Sequence, residues 1–222
     1  MTIELDTAGL KLVAEAMGIR NIAGMLDGNA VRFEDFLRLI ASRKIGGILA
    51  HRELRGLLLD GVIQGGRMDA VGASSIDIHL GDEILIEELA PGHVIDYRAR
   101  TQPKMTAHKL GADGFVLGPG QFILAHSVER LSMPDNLSAM LRTKSSMGRI
   151  GWEHMDAGFV DAGFFGALTL EFKNNLESQS ILIRPGDPCG QLVFFEHEPV
   201  PDEASYAVRG RYNGSATVEQ VR

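Results

Sequence analysis

The 222-residue chain has a single cysteine, Cys189, which excludes an intramolecular disulfide framework and any metal site built from paired thiolates. It has no basic surplus. Its 22 Lys and Arg stand against 29 Asp and Glu, a formal net charge of −7, so the composition does not provide for neutralising a nucleic-acid backbone, and no nucleic-acid partner is expected. It also lacks any apolar run near the ~18 residues needed to cross a bilayer, and its opening MTIELDTAG has neither the basic nor the apolar region of a secretory signal. These absences predict a soluble, cytoplasmic protein with no membrane partner. Glycine departs in the other direction. It supplies 26 of 222 residues, about 12% against about 7% typically, and many tight turns between short strands are one way to need that excess.

Periodicity divides the chain. Leu10, Val13, Ala14 and Met17 recur at helical spacing, as do Phe33, Phe36, Leu37 and Ile40, predicting two amphipathic helices. A third is predicted over about residues 51–59, with Leu54, Leu57 and Leu58 on one side and Asp60-Gly61 as its stop. From residue 74 the period becomes two. Ile76, Ile78 and Leu80 alternate with Asp77 and His79; Ile84 and Ile86 continue beyond Gly81-Asp82; Leu168, Leu170 and Phe172 alternate with Thr169, Glu171 and Lys173. Half-buried strands punctuated by Gly and Pro predict a sandwich or barrel. No strand–helix–strand alternation occurs, which argues against a doubly wound nucleotide-binding sheet.

Four stretches carry polar groups that this pattern does not require. Arg142-Thr-Lys-Ser-Ser-Met-Gly-Arg149-Ile-Gly151 puts two hydroxyls beside Lys144 and Arg149. It reads either as a polar turn or as a clasp for polyphosphate through charge-assisted hydrogen bonds. Asp161 stands among small and apolar residues in Asp156-Ala-Gly-Phe-Val-Asp161-Ala-Gly, where a carboxylate needs a hydrogen-bonding partner. Glu171 lies inside a strand; it either faces solvent beside Thr169 and Lys173 or points into a cleft, where it would suit proton transfer. Ser74-Ser-Ile-Asp-Ile-His-Leu-Gly81 opens the first strand, and the tail from Tyr206 carries Arg209, Arg211, Tyr212, Asn213, Gly214 and Ser215, a disordered end or an arm that closes over an anion.

In this order the segments resemble the motifs of the deoxyuridine triphosphatase (dUTPase) and deoxycytidine triphosphate (dCTP) deaminase superfamily. The resemblance spans residues 46–222 and leaves residues 1–45 as an N-terminal helical extension. Ser74–Gly81 is similar to the first motif and Lys144-Ser-Ser-Met-Gly-Arg to the phosphate-binding second. Gly158-Phe-Val-Asp-Ala-Gly-Phe-Phe-Gly is similar to the third and Pro185-Gly-Asp-Pro-Cys-Gly-Gln-Leu to the fourth. The strand Leu168-Thr-Leu-Glu-Phe resembles the deaminase strand whose glutamate is the general base, a carboxylate that plain triphosphatases usually lack.

The resemblance implies a mainly β, distorted jelly-roll subunit, a homotrimer with sites between subunits, and Mg²⁺ carried by the triphosphate. It assigns Glu171 as the base and Asp161 to the sugar hydroxyl, with Asp161 also orienting a second water if the enzyme carries dUTP on to dUMP. Ser145, Ser146 and Arg149, with Lys144 beside them, fall at triphosphate positions and Gln191 at the glutamine of the fourth motif; the stretch from His154 to Gly158 is expected to face the base, with His154 either a pocket residue or a surface-loop histidine, and Tyr206, Arg211 and Ser215 lie on the closing arm. Zinc is not expected, because Pro188-Cys189 has no second thiol to complete the Pro-Cys-x-x-Cys pair of zinc deaminases. Lys144 stands where the family usually has arginine, and Ser215 where it has glutamine. Two rival readings remain at this point: a dUTPase with a structural Glu171, and a nucleotide-sensing protein of the same fold.

Overall fold

A computed structural model describes residues 47–220 together with Glu4, Leu5, Leu12, Val31 and Arg32. Apart from Leu12, the helical stripes expected over residues 10–17 and 33–40 lie outside the described residues. Near the N-terminus, β1 (Glu4–Leu5) pairs antiparallel with β2 (Val31–Arg32). Next come β3 (Gly47–Ile48), helix α1 (His51–Leu59), β4 (Ile63–Gln64), β5 (Ile76–Glu87), β6 (Met105–Lys109), β7 (Phe115–Leu117), β8 (Phe122–Ser132) and β9 (Leu137–Arg142). Helix α2 (Ser145–Arg149), β10 (Trp152–His154), β11 (Phe159–Val160), β12 (Phe165–Asn174), β13 (Ile181–Ile183), β14 (Pro188–Glu196) and α3 (Tyr206–Arg209) complete the described chain.

Helix α1 forms where the leucine spacing predicted it. The Glu53 carboxylate accepts a hydrogen bond from the Ala50 N–H at 2.9 Å, satisfying a donor that the first turn leaves open. Gly61, at φ +73°, turns the chain away at the other end. Leu54 and Leu57 are fully buried, each worth about 1.5–3 kcal/mol of transfer free energy, which anchors a helix too short to persist by itself.

Ten strands join in one curled antiparallel sheet along the path β10-β12-β8-β5-β14-β9-β11, with β3 on β14, β4 on β8 and β6 on β5; β13 pairs separately with β7. The chain is thus mainly β, a half-barrel closed around one apolar core. Phe172, Phe194, Ile76, Ile78, Leu80 and Ile84 fill that core with Leu54 and Leu57. Strand β5 runs unbroken through Gly81-Asp82, with a register shift between Leu80 and Ile84. A Cβ at position 81 would lie 2.1 Å from the His126 ring, so the glycine is what lets that ring approach the strand. Among the described residues, no helix is long and apolar enough to cross a membrane.

Candidate active site

Strands β8 and β12 pair with Glu171 opposite Leu124 and Lys173 opposite Phe122. Phe122 and Leu124 of β8, and Thr169 and Glu171 of β12, line a cleft of about 420 Å³, large enough for a small-molecule ligand. Phe159, Val160 and Asp161 of the third motif form a second wall, and Tyr206, Tyr212 and Ser215 of the tail form a third. Thr169 and Glu171 share one face of a strand by the period of two, and the cleft lies on that face. Of the two orientations open to Glu171, the structure shows the cleft.

The glycines of the third motif hold the walls together. A Cβ at Gly158 would lie 2.8 Å from the Leu141 carbonyl oxygen, so glycine lets the motif pack directly on β9. Gly163 has φ +82°, and a Cβ there would lie 2.0 Å from Ser205 Oγ. The tail then folds back onto β12. Ala167 N–H donates to the Ser215 carbonyl and Gly214 N–H to the Phe165 carbonyl, both at 2.9 Å, while Asn213 Oδ1 accepts from Phe165 N–H at 3.0 Å. Ser215 is buried, and its hydroxyl donates to the Tyr212 carbonyl at 3.0 Å. Glu219 and Gln220 also line the cleft, and Glu219 N–H reaches Thr169 Oγ1 at 3.4 Å. The arm lies across the cleft of its own chain.

His154 takes a position that its motif gave no sign of. It is buried, does not line the cleft, and lies edge-on to Phe172 with ring centroids 5.6 Å apart. Its Nε2 is 3.2 Å from Glu171 Oε2. Both atoms are shut off from solvent, and neither makes a well-aligned hydrogen bond. Asp161 is exposed at the rim.

The polyphosphate candidates gather elsewhere. Lys144, Ser145, Ser146, Arg149 and Gln191 line no part of this cleft. Lys144 forms an ion pair with Asp77, Gln191 accepts from Ser75 Oγ at 3.2 Å, and Gln191 lies opposite both Asp77 and Arg142 in the sheet. The first, second and fourth motifs therefore meet on β5, β14 and β9. Ser145, Ser146 and Arg149 are exposed on α2, and Arg211 is exposed on the tail. One chain thus presents a cleft lined by Asp161, Glu171 and Glu219 among largely apolar side chains and, apart from it, a set of hydroxyl and cationic groups.

A family model described as dCTP deaminase-like matches residues 48–197. The chain belongs to the dCTP deaminase family. Among its relatives, a dUMP-forming dCTP deaminase of a Sulfurihydrogenibium species is 36% identical over 172 residues, covering 75% of this chain and 92% of that protein. Another dUMP-forming dCTP deaminase, from Persephonella marina, is 38% identical over 179 residues, covering 79% and 92%. In fold, this dCTP deaminase family member is similar to the 2′-deoxycytidine 5′-triphosphate deaminase from Agrobacterium tumefaciens. The TM-score is 0.57 at 26% identity, over 69% of this chain and 50% of that one.

Sequence reasoning missed Phe122, Leu124 and Thr169 as cleft residues. Thr169 was within reach, two residues from Glu171 on one strand face. Phe122 and Leu124 were not, since only the β8–β12 register brings them there.

Proposed function

We propose that this chain hydrolyses dCTP to dUTP and ammonia, and carries dUTP on to dUMP and pyrophosphate. The observation that carries this reading is Glu171, a strand carboxylate opening into an otherwise largely apolar cleft beside Thr169. Glu171 takes a proton from a water attacking C4 of cytosine and passes it to the departing amino group, which leaves as ammonia. Asp161, at the rim, bonds the sugar hydroxyl and orients the second water toward the α-phosphate. The names of the relatives support this second step. Tyr206 and Tyr212 close the sugar side, with Arg211 carried on the same arm.

Lys144, Ser145, Ser146, Arg149 and Gln191 bind the triphosphate, and their separation from the cleft supports a homotrimer in which a neighbouring subunit brings them to it. Among the described residues no group of three or more His, Cys, Asp or Glu is placed to hold a metal ion. Mg²⁺ arriving on the triphosphate is satisfied by phosphate oxygens and water and needs no such cage.

The test is incubation of the purified protein with dCTP and Mg²⁺, with ammonia, dUMP and pyrophosphate followed together. Equal amounts of all three are expected. Pyrophosphate from dUTP with no ammonia from dCTP would reassign the chain as a dUTPase, and nucleotide binding without turnover would reassign it as a sensor.

A further inference from the structure

We infer that His154 is the positioning residue of the general base: it holds Oε2 of Glu171 so that the other carboxylate oxygen alone works in the cleft. The inference rests on the reading of Glu171 as the base. It starts from an imbalance. Glu171 keeps 27% of its side chain exposed and lines the cleft, yet its Oε2 is buried without a hydrogen bond among the described residues, and His154 Nε2 lies 3.2 Å from it. His154 is itself buried, its side chain 3% exposed.

The ring cannot swing away easily. It closes β10, whose register places His154 opposite Phe172, and Phe172, itself fully buried, packs edge-on against it. The Met155 N–H donates to the Glu171 carbonyl at 2.9 Å, tying the residue that follows His154 to the backbone of Glu171. A neutral imidazole with its proton on Nε2 donates to Oε2 after a small rotation of either side chain.

A carboxylate with two equivalent oxygens can turn either one toward the water, or rotate between accepting the proton and delivering it. With Oε2 held, one oxygen takes the proton from water and returns it to the amino group without reorientation, and correct placement of this kind governs kcat. The held oxygen is shut off from solvent, so its loss is expected to fall on kcat and not on substrate affinity.

The experiment compares His154→Gln with His154→Phe, using dCTP and Mg²⁺. Glutamine can present its amide N–H near the Nε2 position, whereas phenylalanine keeps the ring and removes the donor. Both disturb the packing, so a merely structural role would lower both alike. The expected result is a kcat for His154→Phe lower than that for His154→Gln by about tenfold or more, of the order by which a supporting partner tunes an active group, with KM for dCTP within about threefold of wild type in both.

Equal kcat values, or a loss that falls on KM, would overturn the inference. So would a wild-type structure with a non-hydrolysable dCTP analogue bound and His154 Nε2 out of reach of Glu171, a measurement that does not depend on any variant folding. Glu171→Gln is run alongside. If that variant deaminates normally, the reading of the base fails; if it does not, and the two His154 variants are equal, only the positioning role fails.

Discussion

Among the described residues two histidine–glutamate pairs occur, and they are built to different standards. In the first, His79 Nδ1 lies 2.6 Å from Glu129 Oε1 and the His79 backbone N–H donates to Glu129 Oε2 at 2.9 Å. Glu129 is 1% exposed, and its carbonyl accepts from Ser127 Oγ at 2.6 Å. That same Ser127 Oγ accepts from Leu168 N–H at 2.9 Å, which links the cluster to the strand that carries Glu171. In the second pair, His154 and Glu171 meet at 3.2 Å without alignment, and the carboxylate opens into the cleft. In the buried pair both Glu129 oxygens are engaged by His79, which fits it to brace the strands that carry it. In the second pair one Glu171 oxygen is buried against His154, which leaves the other for a water in the cleft.

Exchanging the glutamates one at a time separates these roles, and the largest effect is expected at Glu171. In Glu171→Gln, deamination falls by roughly 10² to 10⁴-fold, as for the loss of a general base, while the urea midpoint of unfolding stays near wild type. The next largest is expected at Glu129. Glu129→Ala leaves two buried donors of His79 without an acceptor, at about 1–3 kcal/mol for each. The urea midpoint should drop accordingly, while the fraction still folded deaminates at near-normal kcat. If Glu129→Ala lost kcat at unchanged stability, or Glu171→Gln lost stability at unchanged kcat, the contrast between the pairs would be broken.

Much of this was legible in the residues, and what was not has a common cause. Leu54, Leu57 and Leu58 predicted α1, and the alternation of Leu168, Leu170 and Phe172 predicted β12, because both depend only on neighbours along the chain. Glu171 was identifiable as a candidate, but which way it faced was not, since a strand with polar residues at alternate positions reads the same over solvent and over a cleft. Both pairs went unseen as pairs. His79 and Glu129 are 50 residues apart, and His154 meets Glu171 only through the β10–β12 register. The candidates for binding polyphosphate were named by resemblance. Their distance from the cleft was not, because a motif specifies chemistry and does not say which wall of the fold will carry it.

The smallest effect concerns the lone cysteine, which reports on how closed the first region is. Cys189 is fully buried, and burial pushes its thiol well above the ordinary value of 9.0, with the nearby Glu129 charge adding to the shift. The thiolate is the reactive form, so alkylation of the native protein at pH 8 should be slow and become fast only in denaturant. The sign for stability follows from proton linkage. Between the free-thiol value and the raised native one, the folded state holds a proton that the unfolded state has released. The contribution is therefore fully present below about pH 9 and is lost as pH rises, by up to about 1.4 kcal/mol per pH unit. Urea unfolding at pH 8 and pH 10 checks this against Cys189→Ala, whose stability should fall less over the same interval because it has no thiol to ionise. In Glu129→Ala the thiol loses both a negative neighbour and part of its enclosure, so its alkylation should accelerate under native conditions. An unchanged rate there would mean that the region around His79 and Glu129 stays closed without the pair.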